Sequence, residues 1–316
     1  MSAMPTKEEW TKRAGQKVKR TQLWIDGKFV DAASGKTFES LNPRDGSLIA
    51  NVAEGDAADV DKAVAAAKRS FESGAWSEMA PLERKKVMLR WSALINEHAE
   101  ELALLETMNC GKPISDSLNV DVASCSNNIQ WYGETIDKLY GEIAPIPRDS
   151  VAMIEREPMG VVGAVVPWNY PLIITSWKVG AALAAGNSVV LKPAEQSPLS
   201  ALLFAELGTQ AGLPDGVLNV IPGFGPTAGG ALGKHMDVQK LAFTGSTEVG
   251  KYFLKYAAES NAKAVSLELG GKTPHVVLSD CPDVDAAASA IAWGVFYNAG
   301  QTCHAGTRVL VDQKIE

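Results

Sequence analysis

The chain has 316 residues, 46% of them hydrophobic and 21% charged, and its net charge is −7. This is the composition of a globular protein with room for about two domains, and its acidic balance gives no electrostatic basis for binding nucleic acid or an anionic membrane. No stretch reaches the roughly 18–20 apolar residues that span a bilayer, and the first residues are too polar for a secretory signal, so we expect a cytoplasmic protein.

The N-terminal part, up to about residue 150, is predicted to be mainly helical. Apolar residues recur at helical spacing over residues 56–71. Pro81 begins a second helix that continues to Leu105, and Gly111, Lys112 and Pro113 then stop the pattern. A third helix is predicted over residues 114–139. Residues 141–150 contain two prolines and alternating apolar residues, which indicates an exposed arm or hairpin.

After residue 151 the pattern changes to short β-branched runs that alternate with helix-length segments. The runs lie at residues 161–166, 188–191, 217–221, 240–243, 264–267 and 275–278. The helical segments between the first five lie at residues 171–185, 197–211, 227–235 and 247–259. Strands that are apolar on both faces predict a parallel sheet covered by helices on both sides, so the fold class is α/β.

Each of the first five runs is followed by a polar or glycine-rich group. These groups lie at residues 167–169, 192–195, 222–225, 244–246 and 268–271. Ligands of open parallel sheets bind outside the carboxyl ends of the strands. Five such groups in succession therefore predict one ligand-binding edge.

Two of these groups have features suited to a dinucleotide. Gly245 and Ser246 open a helix whose N–H groups and dipole favour a pyrophosphate, although Ser246 is equally suited to be a plain N-cap. Glu195 suits ribose hydroxyls and favours NAD over NADP, while Lys192 softens that preference. The alternative for this charged pair is a surface ion pair. Residues 223–225 lack the third glycine of the usual dinucleotide fingerprint.

Of the four cysteines, Cys110, Cys125, Cys281 and Cys303, only the last is a strong candidate for chemistry. Their wide spacing matches no zinc pattern, so we predict neither a metal site nor disulfides. Cys303 lies in a small, glycine-punctuated segment where a thiol is open to substrate. The adjacent His304 is a possible base, but neighbours in sequence rarely face each other.

The motifs, taken in order, resemble the aldehyde dehydrogenase superfamily over nearly the whole chain from about Leu23. The resemblance is carried by residues 167–169 (PWN), 192–195 (KPAE), 243–246 (FTGS), 267–272 (LELGGK) and 300–303 (GQTC). Residues 101–107 with Gly111, Lys112 and Pro113 are similar to the branch that acts on aminoaldehydes and betaine aldehyde. Asn109 stands where that branch often has an acidic residue, which weakens the case for a cationic substrate.

The resemblance implies a role for each catalytic candidate. Cys303 adds to the aldehyde and forms a thiohemiacetal, whose oxyanion is held by the Asn169 amide and the Cys303 backbone N–H. Hydride transfer to the nicotinamide leaves a thioester, and Glu268 activates the water that hydrolyses it. Lys178 resembles a family residue that assists proton traffic.

The resemblance also implies the binding residues. NAD, or secondarily NADP, is expected to contact Val166, Pro167, Trp168, Lys192, Glu195, Gly225, Phe243, Gly245, Ser246, Val249, Leu269 and Gly270. Tyr170 and Trp177 lie seven residues apart and are predicted on one face of the following helix, where they line the substrate tunnel; the alternative is core packing.

For the domains, the resemblance predicts a Rossmann-like NAD-binding domain over residues 1–270. An arm near residues 140–157 resembles the family's oligomerisation segment, and residues 271–316 begin a second, incomplete α/β catalytic domain. Family members continue beyond Glu316 and form homo-oligomers. We therefore expect a truncated product with exposed apolar surface, an unpaired sheet edge and low or absent activity.

Three other functions compete with a hydrolytic NAD-dependent aldehyde dehydrogenase. The first is a non-catalytic fragment that binds nucleotide or a partner. The second is a CoA-acylating dehydrogenase of the same fold, against which Glu268 argues because that chemistry needs no hydrolytic base. The third is a cysteine-dependent esterase that works without NAD.

Overall fold

The computed structural model describes residues 4–316. Its strands are β1 (Leu23–Ile25), β2 (Lys28–Val30), β3 (Thr37–Leu41), β4 (Leu48–Ala53), β5 (Glu142–Ala144), β6 (Ala152–Ile154), β7 (Val161–Val165), β8 (Ser188–Lys192), β9 (Leu218–Val220), β10 (Lys240–Gly245), β11 (Ala264–Leu269), β12 (Pro274–Val277) and β13 (Arg308–Val311). Its helices are α1 (Lys7–Ala14), α2 (Ala57–Glu72), α3 (Pro81–Glu97), α4 (Ala99–Cys110), α5 (Ile114–Asp116), α6 (Ala123–Thr135), α7 (Pro171–Ala184), α8 (Leu199–Gln210), α9 (Gly230–Lys234), α10 (Thr247–Ala258) and α11 (Val284–Phe296).

A seven-stranded sheet in the order β11-β10-β7-β8-β9-β1-β2 forms the centre of the fold. Strands β7 to β11 pair in parallel, whereas β1 runs antiparallel to both β9 and β2. Alternate residues of β7 enter two separate apolar clusters: Val162 and Ala164 one, Val161 and Val165 the other. Both faces of the sheet are therefore covered, which confirms the predicted α/β fold with a mostly parallel sheet.

The sequence pattern does not predict strands β1 and β2, which extend the sheet beyond β9. Leu23 and Trp24 are buried, and Trp24 pairs with Val220 of β9. Strands β3 and β4 form a further antiparallel pair in the same N-terminal region. The region before residue 150 is consequently less helical than expected. Its strands are short, and β1 joins the central sheet through β9, a partner that is distant in the chain.

The helices of the N-terminal part follow the prediction with one correction. The long helix predicted from Pro81 to Leu105 is divided at His98, whose ψ of 19° lies outside the helical range. Apolar positions continue on both sides of His98, so the periodicity alone did not reveal the division. Gly111 ends α4 in the left-handed region with φ +74°, as suits a glycine cap. The third predicted helix contains a π-helical segment, Ser117–Val122.

Residues 142–154 form a hairpin in which β5 and β6 pair antiparallel, with Ile143 opposite Met153. Both side chains are strongly exposed, at 77% and 78%. Of the two predicted alternatives, the structure shows a hairpin, and its strands present apolar side chains to solvent.

After Leu269 the chain leaves the central sheet. Strands β12 and β13 form a separate parallel pair, and α11 has no buried residue. Trp293 and Phe296 on α11 are 70% and 73% exposed, which is the apolar surface expected for residues 271–316. None of the helices in the described range is both long enough and apolar enough to cross a bilayer.

Candidate active site

The carboxyl ends of the parallel strands bring the predicted motifs to one edge of the sheet. Val165 of β7 is in register with Lys192 of β8 on one side and with Phe243 of β10 on the other. Glu268 of β11 is in register with Thr244 of β10. The polar groups that follow these strands therefore neighbour one another, as predicted.

The loop after β7 is joined to the segment that carries Cys303. The Asn169 side-chain nitrogen Nδ2 donates a hydrogen bond of 2.6 Å to the carbonyl oxygen of Gln301. One residue further on, the hydroxyls of Tyr170 and Thr302 lie 3.1 Å apart. Cys303 itself is exposed. These contacts place the candidate oxyanion donor beside the candidate nucleophile's own segment.

The backbone before Cys303 adopts an unusual conformation. Asn298, Ala299 and Gly300 have φ values of 52°, 55° and 74°, so three consecutive residues occupy the left-handed region. For the two non-glycine residues this costs on the order of 1 kcal/mol each. Asn298 compensates in part, because its Nδ2 donates to the Asn169 carbonyl oxygen at 3.1 Å.

Glu268 and Cys303 are linked through the backbone. Gly271 N–H, shortly after Glu268, donates to the carbonyl oxygen of Cys303 at 3.1 Å. The Glu268 side chain is exposed at the end of β11. Within residues 4–316, no hydrogen bond directly joins the side chains of Cys303, Asn169 and Glu268. They share one region through loop contacts.

Lys178 on α7 is half-buried and lies close enough to Glu268 for the charge of that carboxylate to act on it. Burial lowers its pKa to about 8, an effect that the charge of Glu268 opposes and that of Lys240 reinforces. An ammonium with a pKa near neutrality is suited to exchanging protons at working pH.

The depressed pKa of Lys178 predicts a pH-dependent stability. In the folded chain the lysine loses its proton near pH 8, but in the unfolded chain near 10.5, so unfolding takes up a proton between these values. The free energy of unfolding of the unchanged protein should therefore rise relative to that of Lys178→Met by on the order of 2 kcal/mol across this window. Urea titrations of both proteins from pH 7 to pH 10 measure the difference, and a flat difference would contradict the assignment.

The charged pair at the end of β8, Lys192 and Glu195, is at least half-buried. Lys192 is buried, and its Nζ lies 3.1 Å from the Glu195 carboxylate oxygen Oε2. Burial lowers the pKa of Lys192, while Glu195 raises it. Lys192 and Glu195 therefore do form the ion pair given as the alternative, but Lys192 is too buried for an ordinary surface ion pair.

The loop after β10 opens α10 as predicted. Ser246 is the N-cap, and its hydroxyl accepts a hydrogen bond of 3.3 Å from the Val249 N–H. Gly245 is packed so closely that an added Cβ would lie 2.5 Å from the Phe243 ring. Around Gly225, by contrast, an added Cβ would meet no protein atom within 4 Å.

The other predicted cofactor residues surround these groups. Val166 is buried, Pro167 and Leu269 are half-buried, and Trp168, Val249 and Gly270 are exposed. The carbonyl oxygen of Trp168 accepts a hydrogen bond of 3.1 Å from the Cys110 thiol.

The prediction for Tyr170 and Trp177 needs correction. Tyr170 is the N-cap of α7, with φ −137° and ψ 63°, and does not share a helix face with Trp177. The reason is Pro171, because a residue before proline is disfavoured in the helical region. Tyr170 is buried, whereas Trp177 is 51% exposed.

Several side chains considered at the outset have structural surroundings. Asn109 is buried, donates to Ser40 Oγ at 3.0 Å and accepts from Leu199 N–H at 3.1 Å. Cys110 and Cys125 are buried, as expected for small hydrophobic residues. The sulfur of Cys303 lies 3.9 Å from His304 Nδ1. In the described part of the chain no cluster of three or more His, Cys, Asp or Glu side chains is arranged to hold a metal ion.

Sequence reasoning missed a buried charged cluster beneath the Asn169 loop, the segment between β7 and α7 (residues 166–170). Lys112, Asp121 and Glu106 are 1% exposed or less. The nearest sequence signal was the Gly111-Lys112-Pro113 motif, which was interpreted as a helix stop and a branch marker.

Comparison with known proteins gives a consistent result. The model of the family described as "Aldehyde dehydrogenase family" matches residues 29–316. The chain is 51% identical over 306 residues to the NADP/NAD-dependent aldehyde dehydrogenase PuuC of Escherichia coli, covering 97% of this chain and 62% of that protein. It is 48% identical over 315 residues to the aminoacetaldehyde dehydrogenase of Pseudomonas aeruginosa, covering 100% and 64%. The chain thus spans less than two thirds of the length of these relatives.

Solved structures agree with the sequence comparison. The aldehyde dehydrogenase KauB from Pseudomonas aeruginosa superimposes with a TM-score of 0.97 at 51% identity, covering 99% of this chain and 63% of that one. An indole-3-acetaldehyde dehydrogenase solved with NAD+ has the same TM-score, identity and coverage. With the family model spanning most of its length and relatives at about half identity, the chain belongs to the aldehyde dehydrogenase family.

Proposed function

We propose that this chain provides the dinucleotide-binding part and the nucleophile of an enzyme that oxidises aldehydes to carboxylic acids. The observation that carries the proposal is the attachment of the Cys303 segment to the Asn169 loop, through the Asn169 amide on Gln301 and the Tyr170–Thr302 contact. A reachable thiol beside an anchored amide donor suits addition to a carbonyl.

The chain's own residues account for the covalent steps. The Cys303 thiolate forms a C–S bond to the aldehyde carbon, and the carbonyl electron pair moves onto oxygen, where the Asn169 amide and the Cys303 N–H donate to it. NAD, when bound, supplies the acceptor for the hydride of that carbon. Glu268 then takes a proton from water, which attacks the resulting thioester and releases the thiolate and a carboxylic acid. Lys178, facing Glu268, passes the proton on.

The residues present fit a dinucleotide. The exposed start of α10, preceded by Gly245, offers N–H groups to a pyrophosphate, and the surroundings of Gly225 leave open space. The remaining predicted contacts line the neighbouring strand ends, from Val166 to Trp168 and at Leu269 and Gly270. The similar indole-3-acetaldehyde dehydrogenase was solved with NAD+, and the relative PuuC is named for both NADP and NAD.

The Glu195 carboxylate is proposed to set the preference for NAD. Its Oε2 is held by Lys192 Nζ at 3.1 Å, and its Oε1 accepts one longer bond of 3.3 Å from Gln196 Nε2, which leaves a lone pair of that oxygen for a ribose hydroxyl. A 2′-phosphate would meet its negative charge. We expect Glu195→Gln to shift the ratio of NAD to NADP affinity by roughly tenfold towards NADP, measured by nucleotide titration. An unchanged ratio would show that Glu195 does not face the ribose.

For the substrate we propose an aminoaldehyde or betaine aldehyde. The similarity of residues 101–107 to that branch and the name of the aminoacetaldehyde relative support this. Trp177 offers an exposed aromatic face, which suits an ammonium group. Asn109 is buried, is hydrogen-bonded to Ser40 Oγ and Leu199 N–H, and contributes no charge. Equal turnover of betaine aldehyde and hexanal by a complete enzyme would discard the cationic preference.

The remaining expectations also stand as proposals. We retain residues 1–270 as the NAD-binding domain and residues 271–316 as the start of a catalytic domain. The exposed apolar hairpin of β5 and β6 supports a role in homo-oligomer formation. A cytoplasmic location remains a prediction.

The deciding experiment is acylation of Cys303. The chain is incubated with para-nitrophenyl acetate, nitrophenolate release is followed, and the acetylated residue is located by peptide mass spectrometry. We expect one acetyl group on Cys303 and none on Cys303→Ala. Adding NAD and an aldehyde then tests hydride transfer through the absorbance of reduced nicotinamide.

The outcomes separate the competing functions. Nucleotide binding without acylation would support a non-catalytic fragment. Acylation and hydrolysis of the ester without aldehyde oxidation would support an esterase. Release of the acyl group only to CoA would support an acylating dehydrogenase.

A further inference from the structure

A buried lysine lies directly beneath the Asn169 loop. Lys112 is 1% exposed, and its Nζ donates to Asp121 Oδ1 at 2.9 Å and to the Asn169 carbonyl oxygen at 3.0 Å. The same ammonium lies 4.5 Å from the centroid of the Tyr170 ring. One cation therefore contacts both residues that join the loop after β7 to the Cys303 segment.

The Asn169 carbonyl depends on such side-chain donors. Helix α7 begins at Pro171, and the Tyr170 carbonyl accepts the bond from Ile174 N–H, so the Asn169 carbonyl lies outside the helical ladder. In the described residues, the hydrogen bonds to this oxygen come from Lys112 Nζ and Asn298 Nδ2. The peptide plane that follows the Asn169 side chain is thus held by two side chains from other segments.

The surrounding charges keep Lys112 cationic. Burial lowers the pKa of Lys112, but Glu106 and Asp121 more than offset this and raise it above the ordinary value. Burying an ammonium is costly unless it is paired and fully hydrogen-bonded. An ion pair with Asp121 alone would neutralise the charge of Lys112, yet the same ammonium also donates an N–H to the Asn169 carbonyl.

Glu106 extends the cluster to the helix start. Its carboxylate accepts two hydrogen bonds, one of 3.1 Å from Leu172 N–H in the first turn of α7 and one of 2.7 Å from the Ser200 hydroxyl of α8. This contact holds the beginning of α7, whereas Lys112 holds the loop just before it. The contact of Glu106 with the helix start and the contact of Lys112 with the loop involve different atoms, so mutation can remove one without the other.

We propose that Lys112 is a positioning residue for the oxyanion donor: by holding the Asn169 carbonyl it fixes the direction of the Asn169 amide towards Cys303. The inference rests on the proposed function, in which that amide stabilises the developing oxyanion. A misplacement of about 1 Å at such a donor can cost up to about 10²-fold in rate.

The test compares two reactions of the same thiol. Acylation by para-nitrophenyl acetate develops an oxyanion, whereas alkylation by iodoacetamide does not. The variant is Lys112→Met with Asp121→Leu, because removing both partners of the ion pair leaves neither of those two charges buried alone, while Glu106 keeps its hydrogen bonds from Leu172 N–H and the Ser200 hydroxyl. We expect the ratio of acylation rate to alkylation rate to fall about tenfold or more, with alkylation changed less than about twofold.

Ser200→Ala is the matched control, because it removes a contact of the same cluster without touching Asn169; its ratio should equal that of the unchanged chain. An unchanged ratio of acylation rate to alkylation rate in the double variant, whether both rates fall equally or neither changes, would overturn the positioning role. If circular dichroism shows that the double variant does not fold, Lys112→Arg replaces it, since a wider guanidinium cannot keep both bonds in a fully buried site, and the same fall in ratio is expected. The failure of the proposed function looks different: in that case the unchanged chain itself takes no acetyl group on Cys303, which also overturns the positioning role. Failure of the positioning role alone leaves the unchanged chain acetylated.

Discussion

Replacing Asn169 by alanine is expected to slow acylation of Cys303 by about 10²–10³-fold, the effect typical of losing one oxyanion donor. The Asn169 amide has two N–H groups, and among residues 4–316 it donates one hydrogen bond, to the Gln301 carbonyl, which leaves the second N–H for substrate. Its carbonyl oxygen Oδ1 is buried without a partner, so the amide orientation rests on that bond and on the backbone beneath it. The measurement is the rate of nitrophenolate release at saturating ester.

Loss of the Gln301 tether is the main complication, because it would move the Cys303 segment and slow every reaction of the thiol. Alkylation by iodoacetamide reports such movement, and we expect it to change by less than about threefold. Asn261→Ala is a matched control: this asparagine also donates to backbone carbonyls, those of Met236 and Val238, but lies elsewhere. If the acylation rate of Asn169→Ala falls by less than about threefold, the Asn169 amide is not an oxyanion donor.

The central fold was predictable because its strands carry a local signal. Strands β7, β8 and β9 are buried along their whole length, β10 and β11 carry alternating apolar residues, and each of the five is followed by a glycine or polar group. Strands β1 and β2 lack that signal, since each has three residues and β1 gains its place by pairing with β9. Because that partner is so distant in the chain, the pairing leaves no local signal within β1 itself.

The site was predictable in its residue types but not in its supports. Cys303, Asn169 and Glu268 follow from motifs and loop chemistry. Lys112 and Asp121 lie in helical surroundings, where charged residues usually face solvent. That they pair in the interior depends on how α7 packs over them, which is a tertiary property. Tyr170 was assigned to a helix face that Pro171 in fact excludes.

Glu268→Gln is expected to separate the two chemical steps. Acylation of Cys303 should proceed within a few-fold of the unchanged rate, because Glu268 makes no hydrogen bond to the Cys303 or Asn169 side chains. Hydrolysis of the acyl-enzyme should slow by about 10²–10⁴-fold, the contribution typical of a general base. The ester reaction should then show one rapid burst of nitrophenolate followed by almost no turnover, with acetyl-Cys303 accumulating in the mass spectrum.

The charge of Glu268 has a second effect, on the protonation of Lys178. Its carboxylate raises the pKa of Lys178 against the lowering by burial, so its neutralisation in Glu268→Gln lowers the Lys178 pKa below about 8. The pH dependence of the residual hydrolysis should shift to lower pH accordingly. His304, 3.9 Å from the Cys303 sulfur, supplies the competing explanation. If Glu268→Gln hydrolyses the acyl-enzyme normally while His304→Ala does not, the base is the histidine, and the thiol acts as an esterase rather than as the second half of an aldehyde oxidation.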